Sequence, residues 1–376
     1  MSATAALAPG DRAPHGDPAV PRVRFDLPPE RSATEPPEAR GQDRDEVRLL
    51  VATADALHHT RFRQLPEHLS PGDLVVVNTS ATLPAAVDAV RRPHPDAPGT
   101  EEPVVVHVAG PHPDGDNTVV IELRRTDGQG PITDARVGEV VALPDRLELT
   151  LVTSFPDPGV GVGSRLWRAI RTGPMGGRGI TRVLEAHGRP ITYGYLAGRW
   201  PLASYQPVYA QVPGSAEMAS AGRPFTTTLV TELIARGIAV APVVLHAGVS
   251  SLEEGEVPPP ERYAVPEATA RQVELTHRSG GRVVAVGTTV ARALETVAAP
   301  DGRMWPGSGW TELVLGPDRP PRVVSGLITG WHAPDASHLR LLEAVAGAGL
   351  VQRAYDAALA AGYRWHEFGD SCLLLP

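Results

Sequence analysis

The middle of the chain carries strand patterns without helices, and this feature restricts the fold more than any other. Between residues 86 and 165, short runs rich in Val, Ile, Leu and Thr recur at 104–108, 118–123, 139–143 and 147–152. Turn signals that contain Gly separate these runs, and no helical periodicity interrupts them. Such a series predicts a small β-barrel or sandwich, and of the two we expect an inserted β-barrel domain at 86–165.

The segments on either side of this insertion alternate strands with helices. Apolar runs at 74–78, 238–246, 282–287, 311–315 and 322–328 alternate with helical patterns that begin near Thr226, Pro266, Thr289 and Pro334. This alternation predicts an α/β domain with a mostly parallel sheet covered by helices. We expect that domain to be discontinuous, from 21–85 and 166–376. Residues 1–20, rich in Ala, Pro, Gly and Asp, are predicted to be a disordered leader.

The composition excludes several chemistries. All 35 basic residues are Arg, so no lysine can form a Schiff base, bind phosphate in a P-loop or anchor pyridoxal phosphate. The net charge of −8 argues against broad, sequence-independent binding of nucleic acid, although a local basic patch is compatible with it. The lone Cys372 fits a buried thiol in a reducing, cytoplasmic compartment. No apolar run reaches the length of a membrane span, and the oligomeric state stays open.

The most informative local motif is Gly287-Thr288-Thr289, between a buried strand and a helix. Free N–H groups at a helix start attract anions, and the two hydroxyls add donors. The alternative is that one threonine only caps the helix. Arg292 and Glu295 share a face of that helix. Arg292 is suited to hold a carboxylate, and the alternative is an exposed pair with little energetic effect.

Two histidines and one aspartate are further candidates. His332 and His246 each follow a predicted strand, where a histidine can transfer protons near neutral pH. The alternative for each is an ordinary structural role. Asp370 precedes the last strand and either forms a turn or orients a histidine or a ribose. The spacing of His and Cys predicts no metal site, and no dinucleotide-binding glycine motif or nucleophile elbow occurs.

Several motifs occur in a fixed order along the chain. They are Phe25-Asp26-Leu27-Pro28, residues 74–78, Leu83-Pro84-Ala85, Tyr205-Gln206-Pro207-Val208-Tyr209, Ser220-Ala221-Gly222, Leu245-His246-Ala247-Gly248, residues 281–289 with Arg292 and Glu295, Thr329-Gly330-Trp331-His332, and Phe368-Gly369-Asp370. Together they resemble the S-adenosylmethionine:tRNA ribosyltransferase-isomerase family of queuosine synthesis, from about Phe25 to Leu375.

This resemblance implies a fold, a reaction and a set of site residues. The family has an α/β domain with an inserted β-barrel. It transfers and isomerises the ribosyl group of S-adenosylmethionine onto 7-aminomethyl-7-deazaguanine in tRNA, releasing adenine and methionine. S-adenosylmethionine is the co-substrate, with no other cofactor and no metal. His332, His246 and Asp370 would be catalytic. The substrate-binding set would be Gly287, Thr288, Thr289, Arg292, Glu295, Gly222 and Tyr209.

The chain departs from the family pattern at polar positions. Asn78-Thr79-Ser80-Ala81 stands where the family usually has Asn-Asp-Thr-Arg, and Gly330 replaces an asparagine. A site that loses charged groups loses charge-assisted contacts with its substrate. Two alternatives therefore stand beside tRNA modification. The chain would either use S-adenosylmethionine with a small-molecule acceptor or bind without catalysis.

Overall fold

A computed structural model describes residues 21–94, 96, 99–113, 115–126, 130–173, 179–249, 259–334 and 336–376. The predicted leader at 1–20 lies outside these residues. The strands are β1 Arg48–Thr53, β2 Leu57–Arg61, β3 Leu74–Asn78, β4 Ser80–Thr82, β5 Ala86–Arg92, β6 Glu102–His112, β7 Gly115–Arg125, β8 Val140–Ala142, β9 Glu148–Phe155, β10 Leu166–Thr172, β11 Val212–Ser215, β12 Ala239–Leu245, β13 Glu261–Val265, β14 Val283–Val286, β15 Gly307–Thr311, β16 Gly326–Gly330 and β17 Ser371–Leu375. The helices are α1 Gly179–His187, α2 Thr227–Ala235, α3 Glu267–Arg278, α4 Thr288–Val297, α5 His338–Ala346 and α6 Ala348–Ala360.

A nine-stranded sheet in the order β15-β13-β12-β3-β14-β16-β17-β1-β2 forms the centre of the α/β domain. The predicted architecture is confirmed, but the sheet is mixed rather than mostly parallel. Four neighbouring pairs are parallel and four are antiparallel. The sequence pattern missed this because a buried strand reads as a continuous apolar run in either direction. β17, for example, is buried throughout yet runs antiparallel to β16.

Six strands close the inserted barrel in the order β10-β7-β6-β5-β8-β9. Every neighbouring pair is antiparallel, as connections without helices require. The last barrel strand, β10, lies beyond residue 165, where the sequence predicted the barrel to end. Trp167 and Ala169 alternate along β10 and are fully buried in the barrel core, so this strand closes the barrel.

Helix boundaries follow the local signals where those signals are capping residues. The predicted cap Thr226 accepts a hydrogen bond at 3.1 Å from the backbone N–H of Leu229, and α3 begins directly after Pro266. The helix predicted to open at Pro334 begins later, at His338. No helix in the described part of the chain has both the length and the apolar character to cross a membrane.

Two strands are shifted from their predicted positions. The sequence places strands at 311–315 and 322–328, whereas the structure has Gly307–Thr311 and Gly326–Gly330. Polar side chains of α4 bind the backbone at both places. Arg292 donates to the carbonyl oxygens of Thr311 and Leu313, and the Glu295 carboxylate accepts from the N–H groups of residues 322–324. Backbone groups bound in this way are unavailable to a β-ladder.

Candidate functional site

The carboxyl ends of four neighbouring strands meet at one edge of the central sheet. Strands β12, β3, β14 and β16 lie side by side and run parallel. His246, Gly287 and His332 follow three of these strands, and Asn78 is the last residue of β3. Ligands of open α/β sheets bind at such an edge. The sequence-predicted residues that follow strands thus share one edge of the molecule.

His246 and His332 occupy different parts of that edge. Their strands, β12 and β16, are separated by β3 and β14. Neighbouring strands lie about 4.8 Å apart, so three spacings separate the two strand ends by about 14 Å. The two histidines therefore follow strands that are not neighbours in the sheet.

Asn78 ties three segments of this edge together. Its side-chain Nδ2 donates to the carbonyl oxygen of Leu245 at 2.8 Å and to Thr289 Oγ1 at 3.3 Å. Its Oδ1 accepts from the backbone N–H groups of Leu245 and Ser80, each at 3.0 Å. The side chain is almost fully buried. Asn78 thereby fixes the end of β12, the start of β4 and the start of α4 relative to one another.

The start of α4 carries no side-chain cap. Gly287 has φ of 90° and donates its N–H to Ile328 at 2.8 Å, while neither threonine caps the helix. A side chain at Gly287 would be strained at this φ and would bring its Cβ 3.4 Å from that of Ala221. The N–H groups of the first helical turn lie beside the Thr288 and Thr289 hydroxyls, and such a helix start can attract an anion. The predicted substrate-binding role of these residues stays a prediction.

His332 lies among other histidines. Its Nε2 is 3.0 Å from Thr329 Oγ1, and the Thr329 hydroxyl donates to the next carbonyl oxygen. Thr329 thus engages Nε2, and Nδ1 has no hydrogen-bond partner among the described residues. The ring stacks on His338 at 4.6 Å with an interplanar angle of 2°. Burial, with His338 and His366 nearby, holds the pKa of His332 well below its usual value. The ring is therefore neutral and can accept a proton.

Arg292, which the sequence offered as a carboxylate clamp, is bound to protein groups. Its guanidinium pairs with the buried Glu261 and donates to the carbonyl oxygens of Thr311 and Leu313. The side chain is buried, with 8% of the residue exposed. The predicted contact with a donor carboxylate stays a prediction, and the observed contacts join α4 to β13 and β15.

Glu295 anchors the segment before β16. Its carboxylate accepts three backbone N–H groups, from Arg322, Val323 and Val324, at 2.8–3.0 Å. The guanidinium of Arg319 lies 3.5 Å away, and Glu295 is 1% exposed. These contacts satisfy the carboxylate within the protein, so its predicted role in substrate binding stays a prediction.

Asp370 reaches the same edge because β17 runs antiparallel to β16. Its carboxylate accepts from the backbone N–H groups of Arg48 and Arg364, each at 2.8 Å, and pairs with the Arg48 guanidinium at 3.2 Å. Among the described residues no histidine contacts Asp370, so its predicted orienting role has no observed partner. The carboxylate instead joins the start of β1 to the turn that precedes β17.

Gly222 and Tyr209 contact each other. The Tyr209 hydroxyl is 3.4 Å from the Gly222 carbonyl oxygen, and a Cβ at Gly222 would approach that hydroxyl to 2.2 Å. The turn Ser220–Gly222 lies over the strand ends, with Ser220 Oγ 3.9 Å from where a Gly330 side chain would begin. The predicted substrate-binding role of this pair stays a prediction, and the observed packing places the turn over β14 and β16.

His246 lies where the barrel meets the sheet. Its Nδ1 is 2.8 Å from Ser80 Oγ, which is 2.6 Å from Ser215 Oγ. A cleft beside the ring is lined on the barrel side by Pro111 and Phe155, among others, and on the sheet side by Gly248 and residues 259–262. Burial and the nearby Arg262 lower the pKa of His246, so the imidazole is neutral at neutral pH.

Sequence reasoning missed several polar residues that organise this edge. The sequence motifs include Asn78 but assign it no role, although an amide at the end of a buried strand indicates a polar contact between segments. Ser80, Ser215, Glu261 and His338 gave no signal, since each acquires its partner from a distant segment. In the described parts of the chain, no group of three or more His, Cys, Asp or Glu is arranged to hold a metal ion.

Comparison with known proteins gives a consistent result. The sequence model of a family described as queuosine biosynthesis protein matches residues 20–374. An S-adenosylmethionine:tRNA ribosyltransferase-isomerase of Symbiobacterium thermophilum is 33% identical over 367 residues, which covers 93% of this chain and 98% of that protein. Its counterpart in Moorella thermoacetica is 33% identical over 381 residues with the same coverage. A solved S-adenosylmethionine tRNA ribosyltransferase of Thermotoga maritima is 26% identical, covers 93% of this chain and 99% of its own, and gives a TM-score of 0.49.

Proposed function

Because the chain belongs to the queuosine biosynthesis protein family, we propose that it is an S-adenosylmethionine:tRNA ribosyltransferase-isomerase. It transfers the ribosyl group of S-adenosylmethionine to the amine of 7-aminomethyl-7-deazaguanine in tRNA and isomerises it. One observation carries the assignment to this site. The uncapped start of α4 and the strand that leads to His332 lie side by side, joined by the bond from Gly287 N–H to Ile328.

The charged groups of S-adenosylmethionine indicate how it would bind at this site. We propose that its methionyl carboxylate binds the N–H groups and hydroxyls of Thr288 and Thr289, because a helix start carries about half a positive charge. His332 Nδ1 would then remove the proton from the carbon beside the sulfonium. A neutral imidazole is the form that accepts a proton, and burial keeps His332 in that form.

The acceptor amine gives up a proton and forms the new carbon–nitrogen bond to the ribosyl group. The electron pair of the deprotonated carbon forms the carbon–carbon bond that closes the isomerised ring, and the former ribose ring oxygen replaces sulfur on that carbon as an epoxide. The carbon–sulfur bond breaks with its electron pair on methionine. The bond to adenine breaks with its pair on the base, which takes up a proton as it leaves. Arg292, Glu295 and Asp370 are assigned positioning roles, since each is already bound by protein groups. With tRNA as the acceptor, we propose a cytoplasmic site of action and no cofactor beyond the co-substrate.

The test measures release of adenine and methionine from S-adenosylmethionine in the presence of precursor tRNA. We expect His332→Ala to lower kcat by about 10²- to 10⁴-fold, the range for loss of a general base. Its Kd for S-adenosylmethionine should be nearly unchanged. The matched control is His58→Ala, an exposed histidine on β2, which should keep wild-type turnover. Wild-type-like turnover of His332→Ala would remove this residue from the mechanism. If the wild-type enzyme released no adenine with precursor tRNA, the proposed function itself would be wrong.

A further inference from the structure

A chain of hydrogen bonds ends on His246. The backbone N–H of Ala247 donates to Ser215 Oγ at 3.0 Å, Ser215 Oγ is 2.6 Å from Ser80 Oγ, and Ser80 Oγ is 2.8 Å from His246 Nδ1. Ser80 is 2% exposed and Ser215 is 1% exposed. Both hydroxyls therefore lie below the protein surface, and the observed partners of each are protein groups.

The proton positions in this chain follow from counting donors and acceptors. If Ser215 donates to Ser80 and Ser80 donates to Nδ1, every hydroxyl proton has an acceptor. If instead Nδ1–H donates to Ser80 and Ser80 donates to Ser215, the Ser215 proton has no acceptor among the described residues. A buried donor left without a partner costs about 1–3 kcal/mol. The first direction is therefore the stable one, and it leaves the imidazole proton on Nε2.

The ring has little freedom to leave this orientation. A Cβ at Gly214 would lie 2.4 Å from His246 Nδ1 and 2.5 Å from Cε1, so Gly214 packs directly against the imidazole. Any side chain at residue 214 would push the ring away from Ser80. The glycine on one side and the hydroxyl on Nδ1 together fix the direction of Nε2, for which no partner is seen among the described residues.

The cleft beside His246 carries side chains of the kinds that bind bases and phosphates. Phe155 from the barrel and Trp310 from β15 supply aromatic surface, and Arg262 supplies a positive charge. Arg262 is exposed and forms no ion pair with the described residues. Aromatic rings stack on bases, and a guanidinium binds phosphate oxygens. Burial and Arg262 lower the pKa of His246, so its ring enters this contact as a neutral donor.

We propose that His246 binds the acceptor base of the tRNA by donating its Nε2–H to a carbonyl oxygen or ring nitrogen of that base, and that Ser80 and Ser215 set this tautomer. In this scheme His246 binds the acceptor base, whereas His332 removes a proton from S-adenosylmethionine. The identity of the ligand rests on the proposed function. The tautomer of His246 follows from its hydrogen bonds with Ser80 and Ser215 alone. The inference assigns Ser80 a positioning role.

The tautomer is tested without turnover. In ¹⁵N-histidine-labelled protein, long-range ¹H–¹⁵N spectra distinguish a protonated from a bare ring nitrogen, and the signals missing in His246→Gln identify His246 among the 13 histidines. We expect a protonated Nε2 and a bare Nδ1 in the wild-type protein. Ser80→Ala should yield a mixture of tautomers, and Ser80→Thr should restore the single form. A wild-type spectrum with the proton on Nδ1 would overturn the inference.

Steady-state kinetics test whether His246 binds the acceptor base of the tRNA. His246→Phe removes the donor, and we expect KM for precursor tRNA to rise about 5- to 100-fold, the effect of one unsatisfied buried polar group. Both kcat and the Kd for S-adenosylmethionine should change less than about threefold. His246→Gln, which keeps an N–H donor, should recover part of the loss, and the exposed Ser279→Ala is the control for Ser80→Ala.

The outcomes separate the inference from the function on which it rests. A fall in kcat with unchanged KM for tRNA would make His246 a proton-transfer group and would refute the recognition role. A raised Kd for S-adenosylmethionine would place His246 on the donor and would also refute it. Absence of turnover in the wild-type enzyme would contradict the proposed function, and the tautomer would still be decided by the spectra.

Discussion

Replacing Asn78 by Ala should disrupt the edge of the sheet that carries the site. The amide is 1% exposed and makes four hydrogen bonds, two through Nδ2 and two through Oδ1. Alanine removes all four. It leaves the backbone N–H and carbonyl oxygen of Leu245 and the N–H of Ser80 without the partner they have now.

The magnitude follows from those three buried backbone groups. Each costs about 1–3 kcal/mol when left unsatisfied, and relaxation of the two strand ends recovers part of the sum. We expect Asn78→Ala to lower the free energy of unfolding by about 3–5 kcal/mol, a large part of the 5–15 kcal/mol typical of a domain. At about 2–4 °C for each kcal/mol, Tm should fall by at least about 6 °C.

Urea titration followed by tryptophan fluorescence measures this loss, and calorimetry measures Tm. The chain offers a matched control, because its other asparagine, Asn117, is exposed on the barrel strand β7. Asn117→Ala should change stability by less than about 0.5 kcal/mol. A loss below about 1 kcal/mol for Asn78→Ala would show that the amide does not hold these segments together, and the account of the edge would be wrong.

Two further predictions concern buried charge and pH. Arg165→Met should cost about 1.5–3 kcal/mol in urea titrations, because it removes a charge-assisted hydrogen bond of 2.8 Å to the fully buried Glu122, while His107 and Arg124 remain beside that carboxylate. The exposed pair of Arg271 and Glu267 supplies the control Arg271→Met, and a loss as small as the control's would refute the reasoning. Burial, and secondarily Arg292, lowers the pKa of His338 from 6.5 to about 4, so the unfolded chain binds the proton first. The stability that His338 contributes is complete above pH 6.5 and is lost as pH falls toward 4, with a slope of at most about 1.4 kcal/mol per pH unit. His338→Gln should flatten the dependence of unfolding free energy on pH in that window, the exposed His58→Gln should not, and an unchanged slope in His338→Gln would contradict the assignment.

The parts of the fold that the sequence predicted depend on local patterns. The barrel was recognisable because its strands follow one another without a helix, and Thr226 was recognisable as a cap because its side chain bonds a residue three positions away. The buried strand β3 is likewise a continuous apolar run. No local sequence pattern indicates the direction of a buried strand. β16 and β17 are both buried, and only the path of the chain between them makes their pairing antiparallel.

The errors in strand position have a long-range cause. Residues 311–315 and 322–324 have strand-like side chains, but their backbone groups are bound by Arg292 and Glu295, which lie between 19 and 29 positions earlier. A side chain that bonds the backbone competes with the β-ladder for the same donors and acceptors. Sequence periodicity does not reveal which distant side chain will compete, so the shift could not be predicted.

The candidate site residues differ in whether their polar groups already have a partner within the protein. A polar residue retained in a buried segment needs a partner, which is either another part of the protein or a ligand. The sequence located Arg292 and Glu295 on one helix and Asp370 directly before the last strand, but not their partners. All three carboxylate or guanidinium groups are bound within the protein.

The groups available to a ligand are those that the described protein leaves without a partner. Three such groups at this edge are the first N–H groups of α4 beside Thr288, Nδ1 of His332 and Nε2 of His246. The first attracts an anion, the second accepts a proton and the third donates one. In the proposed reaction the first would bind the carboxylate of S-adenosylmethionine, the second would take up its proton and the third would bind the acceptor base. Along the edge, the start of α4 follows β14 and lies between His246, which follows β12, and His332, which follows β16. The strand order therefore puts the proposed contact with the acceptor base and the proposed proton acceptor on opposite sides of the proposed anion site.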